Sequence, residues 1–387
     1  MSAELPLSGL LVADFSRVLA GPFATMALAD LGATVVKVER PGTGDDTRAW
    51  GPPWTPHSSA YFACLNRGKR SVALDLADPG DREVAVKLVR RADVLVENFR
   101  PGALARYGLD YATARELNPR LVYTSISGFG SGTGAHLPGY DFVVQAAGGL
   151  MSITGSPEGE PTKVGVALVD VLTGKDALTG ILAALRHRDR TGRGQHVEVN
   201  LMSSLLGALV NQVAGYLATG ESPARDGNRH PSIAPYEALR CADGHLVLAV
   251  GNDQQFRVLA AALGRPEWAD DPRFATNPAR VAHHDELVGL LEPVLAERGA
   301  ADWERDLRDA GVACAQVNDV GAAVDYAAAL GLDPLLDLGD GHPPQIRLPI
   351  TFSESAVATP TPPPALGQHD AEVRAWLATP ATSEEKV

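Results

Sequence analysis

The first two hundred residues alternate short apolar segments with helical segments, and this alternation restricts the fold more than any other feature. Residues 10–15 form a short apolar strand pattern, and 34–38 form the next one. Between them, Gly21-Pro22 opens a predicted helix that runs through Leu31, with proline in its first turn and Gly32 just past its end. A strand, a helix and a second strand in this order form a crossover unit, which places the two strands parallel in one sheet.

The same alternation continues well beyond this first unit. Further strands are predicted at 72–74, 94–96, 121–126 and 196–199, with helices at 79–91, 101–107 and 201–217. Strands of nearly continuous apolar character are typical of parallel sheets that are covered on both faces. The sequence therefore predicts an α/β fold, with a parallel sheet flanked by helices.

A change in composition after Thr219 indicates a second domain. Residues 220–231 are polar and rich in turn formers, and a predicted hairpin follows at 236–240 and 245–250. Helical patterns then appear at 254–263, 285–298 and 301–309, and the chain is rich in proline and glycine from about Gly331. A chain of 387 residues suits two domains. We expect a discontinuous large domain, 1–219 and 331–387, and a linker with a smaller α+β domain over 220–330.

Composition excludes several classes of function. The net charge is -13, which opposes binding to nucleic acid, and no run approaches the roughly 20 apolar residues of a membrane helix. The start of the chain lacks a secretory pattern, and the three cysteines (Cys64, Cys241 and Cys314) are scattered. His283 and His284 are adjacent, and adjacent helical residues do not converge on a metal. We therefore expect a cytoplasmic protein with no membrane partner, nucleic-acid partner or metal.

Basic residues cluster near the ends of the predicted strands in the first third of the chain. Residues 1–110 carry no net charge, so the whole acidic excess lies in the remainder. Parallel sheets bind ligands at the carboxyl ends of their strands, where arginine and lysine suit phosphates. One such residue alone is compatible with an ordinary surface charge, whereas the set favours a nucleotide-like polyanion. The residues concerned include Arg17, Lys37, Arg40, Arg48, Lys69, Arg70, Arg100 and Arg106, with Asn98 and Phe99 beside them.

Asp170 ends an apolar run, Lys163–Asp170, which predicts a strand that finishes on a carboxylate and leads into a helix over 171–185. On spacing alone, the simplest interpretation is a helix cap. Upstream, glycines at 128, 130, 132 and 134 follow a strand, but the residues after them do not open a helix. This favours a mobile loop beside an active site over a dinucleotide cradle.

Several motifs together resemble the family III CoA-transferases, the CaiB/BaiF family that includes formyl-CoA transferase. They occur in the family's order over nearly the whole chain. The motifs are Asp14–Pro22, Lys37–Pro41, Asn66–Ser71, Val96–Gly102, Gly139–Asp141 with Gln145–Gly149, Thr191–Gln195, Gly227–Pro231 and Pro362–Asp370.

The resemblance implies a nucleophilic Asp170 that forms an acyl-aspartyl anhydride and then an aspartyl-CoA thioester. The CoA thioester is a substrate, so no separate cofactor is expected. The resemblance also implies an interlocked homodimer and a mobile loop at Gly251-Asn252, and it assigns CoA contacts to Arg17, Arg40, Lys69, Arg70, Asn98, Phe99 and Arg106. Leu19 stands where the family often has glutamine.

Two other functions stay open at this point. α-Methylacyl-CoA racemases share the CoA loops but use a His-Asp pair where this chain has Tyr140-Asp141. A tyrosine with an ordinary pKa near 10 is a poor base, so we assign Tyr140 to positioning and Asp141 to support. Asp253 lies near the position of a racemase glutamate, which keeps that alternative open. A noncatalytic CoA-binding protein is the third class.

The acid partner is less restricted by the sequence. The segment from Arg229 to Tyr236 resembles members that use succinyl-CoA and dicarboxylic acids, and Arg229 or His230 is a candidate to bind a distal carboxylate. The sequence therefore favours succinate-like dicarboxylates, while formyl-CoA with oxalate and carnitine-type substrates stay open.

Overall fold

The computed structural model describes residues 4–339 and 341–379, and they form two compact units. Unit 1 comprises the described parts of Met1–Leu150, Lys163–Glu221 and Asp333–Val387, and unit 2 comprises Met151–Thr162 and Ser222–Leu332. The sequence analysis assigned 151–162 to the large domain, which the structure corrects. Gly227 N–H donates to the Gly155 carbonyl, and the Arg225 guanidinium donates to the carbonyls of Ser156 and Gly159. These contacts tie the segment to unit 2.

A six-stranded parallel sheet forms the centre of unit 1, with spatial order β3-β2-β1-β4-β5-β6. The strands are β1 (Leu11–Asp14), β2 (Thr34–Glu39), β3 (Lys69–Ala73), β4 (Val94–Glu97), β5 (Val122–Ser127) and β6 (His196–Asn200). The helices of unit 1 are α1 (Ala20–Asp30), α2 (Ala60–Ala63), α3 (Pro79–Arg91), α4 (Tyr111–Leu117), α5 (Asp141–Ala147), α6 (Leu168–Thr191), α7 (Leu201–Ala208), α8 (Val210–Thr219) and α14 (Asp370–Ala378).

Apolar side chains cover both faces of this sheet. On one face Val12 and Val94 pack with Ala24 of α1 and Ile181 of α6. On the other face Leu95 belongs to a core cluster that includes residues of α3 and α4. Each fully buried aliphatic side chain contributes roughly 1.5–3 kcal/mol to the stability of the fold. Strands with apolar residues on both faces are therefore stabilised by the helices on both sides of the sheet. The predicted α/β fold with a parallel sheet is confirmed.

The predicted strand ending at Asp170 is wrong. Residues 163–167 pair with no strand, and α6 begins at Leu168, so Asp170 lies in the first helical turn. The position beside β5 is occupied by β6. The N–H of Val164 donates instead to the side chain of Gln145, at 2.9 Å.

The predicted single helix over 201–217 is interrupted. It forms α7 and α8, which meet at an angle of 80°, and Val210 has a φ of 38° at the break. No single helix in the described parts of the chain is long and apolar enough to cross a membrane. The bent pair meets that criterion by length and composition only.

Strand β3 starts at Lys69, three residues before the predicted start, and lies at the edge of the sheet. Its outward N–H groups are satisfied by the segment that leads into α14. Ser71 N–H donates to His369 Nδ1 at 3.1 Å, and Ala73 N–H donates to the Asp370 carboxylate at 2.7 Å. Residues almost three hundred positions later therefore cover the exposed edge of the sheet.

Unit 2 has an antiparallel sheet of β7 (Tyr236–Arg240), β8 (His245–Ala249) and β9 (Cys314–Gln316). The predicted hairpin is confirmed, whereas β9 was not predicted. The helices of unit 2 are α9 (Asp253–Ala262), α10 (Asn277–Ala282), α11 (His284–Leu295), α12 (Ala300–Asp309) and α13 (Val320–Ala329). In unit 1, β10 (Leu335–Leu336) and β11 (Gln345–Ile346) form a short antiparallel pair.

Candidate active site

The strand order reverses between β1 and β4, and sheets of this kind bind ligands at that crevice, outside the carboxyl ends of the strands. The side chain of Asn98, which follows β4, bonds the loop that follows β1. Its Oδ1 accepts from the Arg17 N–H at 2.9 Å, and its Nδ2 donates to the Arg17 carbonyl at 2.8 Å. The amide of Asn98 thus holds the backbone of Arg17, and its contact with CoA stays a prediction.

Six charged side chains lie beneath this edge of the sheet and are called the buried charge cluster. Three salt bridges pair them: Lys69 with Asp14 at 3.0 Å, Lys37 with Asp45 at 2.9 Å, and Arg48 with Glu39 at 2.7 Å. Burial by itself would raise the pKa of Asp14, but Lys69 and Lys37 outweigh it and lower that pKa to about 2. Burial lowers the pKa of Lys69 to about 8 against the opposing charge of Asp14.

The buried charge cluster fixes the loop that follows β1. Lys37 Nζ donates to the Ser16 carbonyl at 2.9 Å, and Asp45 accepts from the Val18 N–H at 3.2 Å. Val18 has a φ of 69°, a left-handed conformation that is rare for a β-branched residue and needs such support. The cluster therefore holds the backbone of residues 16–18 in one shape.

A cavity of about 340 Å³ opens over this loop. Four of the residues that the resemblance assigns to CoA line it: Arg17, Arg40, Phe99 and Arg106. The guanidinium of Arg17 lies 5.9 Å from the centre of the Phe99 ring, and that of Arg106 lies 4.5 Å from the centre of the Tyr107 ring. We call this space the arginine cavity.

Two other predicted ligand contacts lie outside the arginine cavity. The Lys69 side chain has no exposed surface and is paired with Asp14, because β3 starts at Lys69 and carries it into the core. Arg70 pairs with Glu372 of α14 at 3.0 Å. The predicted contact of Lys69 with CoA finds no support in this geometry, since the ammonium group stabilises the strand ends beneath the cavity.

A second cavity, of about 270 Å³, adjoins the first and shares Arg17 and Phe99 with it. It is lined by the start of α1, by the glycine loop after β5, by Tyr140 and by Asp170. We call this space the carboxylate cavity. The arginine cavity and the carboxylate cavity therefore lie side by side, and the second contains the carboxylate of Asp170 in the first turn of α6.

Asp141 positions Asp170 through the backbone of α6. One oxygen of Asp141 accepts from the N–H groups of Val169 at 2.7 Å and Asp170 at 3.2 Å, and the other accepts from Gln145 at 2.6 Å. Across residues 4–339 and 341–379, the carboxylate of Asp170 has no hydrogen-bond partner of its own. Burial, and secondarily the charge of Asp141, raise the pKa of Asp170 to about 7. Asp170 is thus a basic and unengaged carboxylate.

Two glycines close the base of the loop between β5 and Tyr140. A Cβ placed on Gly128 would lie 2.5 Å from the Cα of Gly139, and one placed on Gly139 would lie 2.3 Å from the Cα of Gly128. Real atoms do not approach so closely, so only glycine fits at both positions. The pair brings the end of β5 against the residue that precedes Tyr140.

Sequence reasoning did not identify Tyr61 and Trp50. Burial, and then the charge of Asp170, raise the pKa of Tyr61 to about 12, which places its phenol in the electrostatic surroundings of that carboxylate. The ring of Trp50 meets Tyr61 edge-on, with 5.3 Å between centroids. Tyr61 lies on α2, which has only four residues, and so short a helix gives no periodic signal in the sequence.

The remaining predicted site residues lie in unit 2. Asn252 caps α9, with its Oδ1 accepting from the Gln255 N–H at 2.9 Å, and the Gly251 N–H donates to the Gln255 side chain at 2.7 Å. His230 Nδ1 accepts from the Ser232 N–H at 3.1 Å. The described residues contain no cluster of three histidine, cysteine, aspartate or glutamate side chains suited to a metal.

Asp170→Asn is expected to raise the melting temperature by about 2 °C at pH 8. The pKa of Asp170 in the fold is about 7, against an ordinary 3.8, so the charged carboxylate destabilises the native state above pH 7. Asparagine removes that charge. The gain should shrink as the pH falls from 7 towards 3.8, and thermal melts at several pH values measure it. Equal melting temperatures at every pH would contradict a destabilising charge at this position.

Comparison with known proteins gives consistent results along the whole chain. The family model for CoA-transferase family III matches residues 7–370. A succinate–glutarate CoA-transferase from Agrobacterium fabrum is 46% identical, over 97% of this chain and 96% of its own. An acetyl-CoA:oxalate CoA-transferase from Acetobacter aceti is 42% identical, over 97% and 96%. The crystal structure of a CAIB/BAIF family protein from Brucella suis superposes with a TM-score of 0.88 at 44% identity, covering 97% of this chain and all of that one.

Proposed function

The chain belongs to CoA-transferase family III, and from this we propose that it moves CoA from succinyl-CoA, or a similar dicarboxylic acyl-CoA, to a second carboxylic acid with Asp170 as nucleophile. One observation carries the proposal. Asp170 is an unengaged carboxylate in a cavity that shares walls with the arginine cavity. A thioester whose phosphates lie on the arginines would extend towards this carboxylate.

The arginine cavity supports the CoA end of this proposal. Arg17, Arg40 and Arg106 offer guanidinium groups for phosphates, and Phe99 offers an aromatic face. Asn98 and Lys69 act beneath them, by holding the Arg17 backbone and the strand ends. Arg70, paired with Glu372, stays a prediction as a direct contact.

The proposed chemistry exchanges acyl groups through Asp170. Its carboxylate attacks the thioester carbonyl, the C–S bond breaks, and a mixed anhydride and free CoA thiolate result. The thiolate attacks the aspartyl carbonyl of the anhydride, which releases the donor acid and leaves an aspartyl-CoA thioester. The acceptor carboxylate attacks this thioester, the C–S bond breaks, and a second anhydride and CoA thiolate result. CoA thiolate then attacks its acyl carbonyl and regenerates Asp170.

The surroundings of Asp170 suit these steps. A carboxylate with a pKa of about 7 is more basic than an ordinary one, which makes it a better nucleophile when ionised. Its position in the first turn of α6 places it near the positive end of the helix dipole, where developing negative charge is stabilised. The proposed sequence consumes one thioester and forms another, so it requires neither ATP nor a separate cofactor.

The dicarboxylate preference draws support from the relatives. Succinate, glutarate and oxalate, which appear in the names of the two enzymes compared above, are all dicarboxylic acids. In unit 2, Arg229 lies 3.9 Å from Asp226 and 3.8 Å from Asp285, so its guanidinium has acidic partners within its own unit. His230, Gly251 and Asn252 stay predictions from the resemblance.

The racemase alternative is not favoured. Tyr140 replaces a histidine, and both oxygens of Asp141 are engaged in hydrogen bonds. Asp253, the other possible base, accepts from the buried Arg280 guanidinium at 3.0 Å and from the Asn277 N–H at 2.8 Å. These two contacts give the carboxylate of Asp253 a structural role within unit 2. A noncatalytic role would leave the position of Asp170 without a reason.

A transfer assay tests the proposal. The protein is incubated with succinyl-, acetyl- or formyl-CoA and with glutarate, oxalate or carnitine, and each product CoA ester is quantified by mass spectrometry. We expect transfer from succinyl-CoA to a dicarboxylic acid to be fastest. Absence of transfer in every combination, together with deuterium exchange at the α-carbon of a 2-methylacyl-CoA, would instead support the racemase.

The acid limb of the pH–rate profile is expected near pH 7. The attacking form of Asp170 is the carboxylate, so kcat/KM should fall about tenfold for each pH unit below that value. Asp141→Asn keeps one oxygen that can accept from the N–H groups of α6 but removes the charge that helps to raise the pKa of Asp170, so the limb should shift to lower pH. Steady-state kinetics from pH 5 to 9 measure both. A limb near pH 4 in the wild-type enzyme would contradict the assignment.

We further propose that the protein is a homodimer. Helix α8 exposes large apolar side chains, with Val210 at 70% and Leu217 at 75% of their surface accessible. Patches of this kind are often covered by another chain. Light scattering after size-exclusion chromatography gives the mass directly. The cytoplasmic location stays a prediction from the sequence.

A further inference from the structure

Asp46 bridges two arginines at the mouth of the crevice. One oxygen lies 2.7 Å from the Arg17 guanidinium, and the other lies 3.7 Å from that of Arg40. All three side chains are accessible to solvent, with exposed fractions of 38% for Asp46, 43% for Arg17 and 63% for Arg40. A single exposed carboxylate thus shares two positive charges.

The fold does not require this contact. The acids Asp45 and Glu39 belong to the buried charge cluster, and each also accepts from a backbone N–H of this region. By contrast, the charged partners of Asp46 within the described residues are the two exposed arginines. Exposed ion pairs add little to stability. The position of Asp46 therefore calls for an explanation other than folding.

The two arginines are the ones that a phosphate would meet. Arg40 lines the arginine cavity, Arg17 lines both cavities, and Asp46 lines the carboxylate cavity. The carboxylate of Asp46 therefore occupies the position in which a phosphate bound by both Arg17 and Arg40 would lie. A phosphate offers more oxygens and more negative charge, so it forms stronger charge-assisted bonds with the same arginines.

We propose that Asp46 is an internal competitor for the phosphate groups of CoA. This inference rests on the proposed function. The ion pairs from Asp46 to Arg17 and Arg40 must break before a phosphate binds there, which weakens the binding of every CoA ester by the same factor. The enzyme must bind one CoA ester and release another in each cycle. A built-in competitor speeds release while the phosphate charge still ensures binding.

The test is the dissociation constant of CoA, measured by isothermal titration calorimetry at low salt. Asp46→Asn keeps an oxygen that accepts from Arg17 but removes the charge, and its Kd should be about two- to fivefold lower than that of the wild type. Asp46→Glu keeps the charge and should bind much as the wild type does. Glu83→Gln removes another exposed, paired carboxylate, outside both cavities, and should leave Kd unchanged. The ratio of wild-type to Asp46→Asn values should fall towards one in about 0.5 M salt.

A weaker affinity in Asp46→Asn would overturn the proposal, because Asp46 would then hold Arg17 in place for the ligand. An unchanged affinity would overturn it too. Titration with dephospho-CoA identifies the displacing group: a retained gain indicates the diphosphate, and a lost gain indicates the 3′-phosphate. Failure of the wild-type protein to bind CoA would count against the proposed function itself, and that result is separate from any difference between variants.

Discussion

Replacing Asp170 by alanine is expected to lower the rate of CoA transfer by at least about a thousandfold, since a covalent mechanism fails without its nucleophile. Alanine leaves α6 intact because it is a good helix former, and Asp141 bonds the backbone N–H of residue 170 rather than its side chain. Affinity for CoA should change little, because the arginine cavity is not altered. Turnover with succinyl-CoA and glutarate measures the rate. The mass of the intact protein after incubation with succinyl-CoA measures the covalent adduct.

The mass spectrum separates the covalent mechanism from a purely electrostatic role. The wild-type protein should carry a CoA-sized adduct that Asp170→Ala lacks. Asp176→Asn, an exposed carboxylate on the same helix, is the matched control and should keep both the adduct and full activity. An adduct of equal yield on Asp170→Ala, or activity within tenfold of the wild type, would show that another group is the nucleophile.

Asp14→Ala is expected to lower the free energy of unfolding of unit 1 by about 3–5 kcal/mol. Asp14 has no exposed surface, and it pairs with Lys69 while accepting from the hydroxyls of Ser16 and Thr25. Its removal leaves the charge of Lys69 buried without its closest partner. Urea unfolding followed by circular dichroism measures the loss. Glu116→Gln, an exposed substitution on α4, should stay within about 0.5 kcal/mol of the wild type.

Two further measurements identify the cause of that loss. Adding Lys69→Met to Asp14→Ala should recover part of the stability, because the unpaired charge is then gone. The pKa of Asp14 is about 2 in the fold against an ordinary 3.8, so its contribution is present above pH 3.8 and is lost as the pH falls through 2. A double variant that is less stable than the single one would point to packing as the cause.

The sequence predicted the strands of the sheet better than the residues between them. Strands β1, β2 and β4 have apolar side chains on both faces. Such nearly continuous apolar runs are expected when helices cover both faces of a sheet. The run from Lys163 to Asp170 shows the limit of such reasoning. Its apolar residues resemble a strand, but a strand must pair with a neighbouring strand whose edge is open. The edge of β5 is taken by β6, which follows α6. Only the three-dimensional arrangement decides between those two segments.

The sequence pointed to several residues that line the candidate site but not to their burial or to the loops around them. Motifs pointed to Arg17, Arg40 and Phe99, the apolar run before Asp170 pointed to that carboxylate, and the cluster of basic residues included Arg106. All five line the two cavities. Burial of Lys69 depends on where β3 begins, and that is set by its pairing with β2, from Val35 and Lys69 onward. Tyr61 comes near Asp170 through a short helix and loops, which carry no periodicity. Long-range pairing and loop geometry are therefore what the sequence alone did not provide.

The edge of β3 has a consequence for synthesis on the ribosome. The partners of Ser71 and Ala73 are His369 and Asp370, which are translated 298 and 297 residues later. Until they emerge, the open N–H groups of β3 are available to any other nascent chain, and such edges promote aggregation. Unit 2 is translated during that interval. Expression yield should therefore depend on chaperones that shield the growing chain, and loss of the segment around Asp370 should appear as insoluble protein before it appears as lost activity.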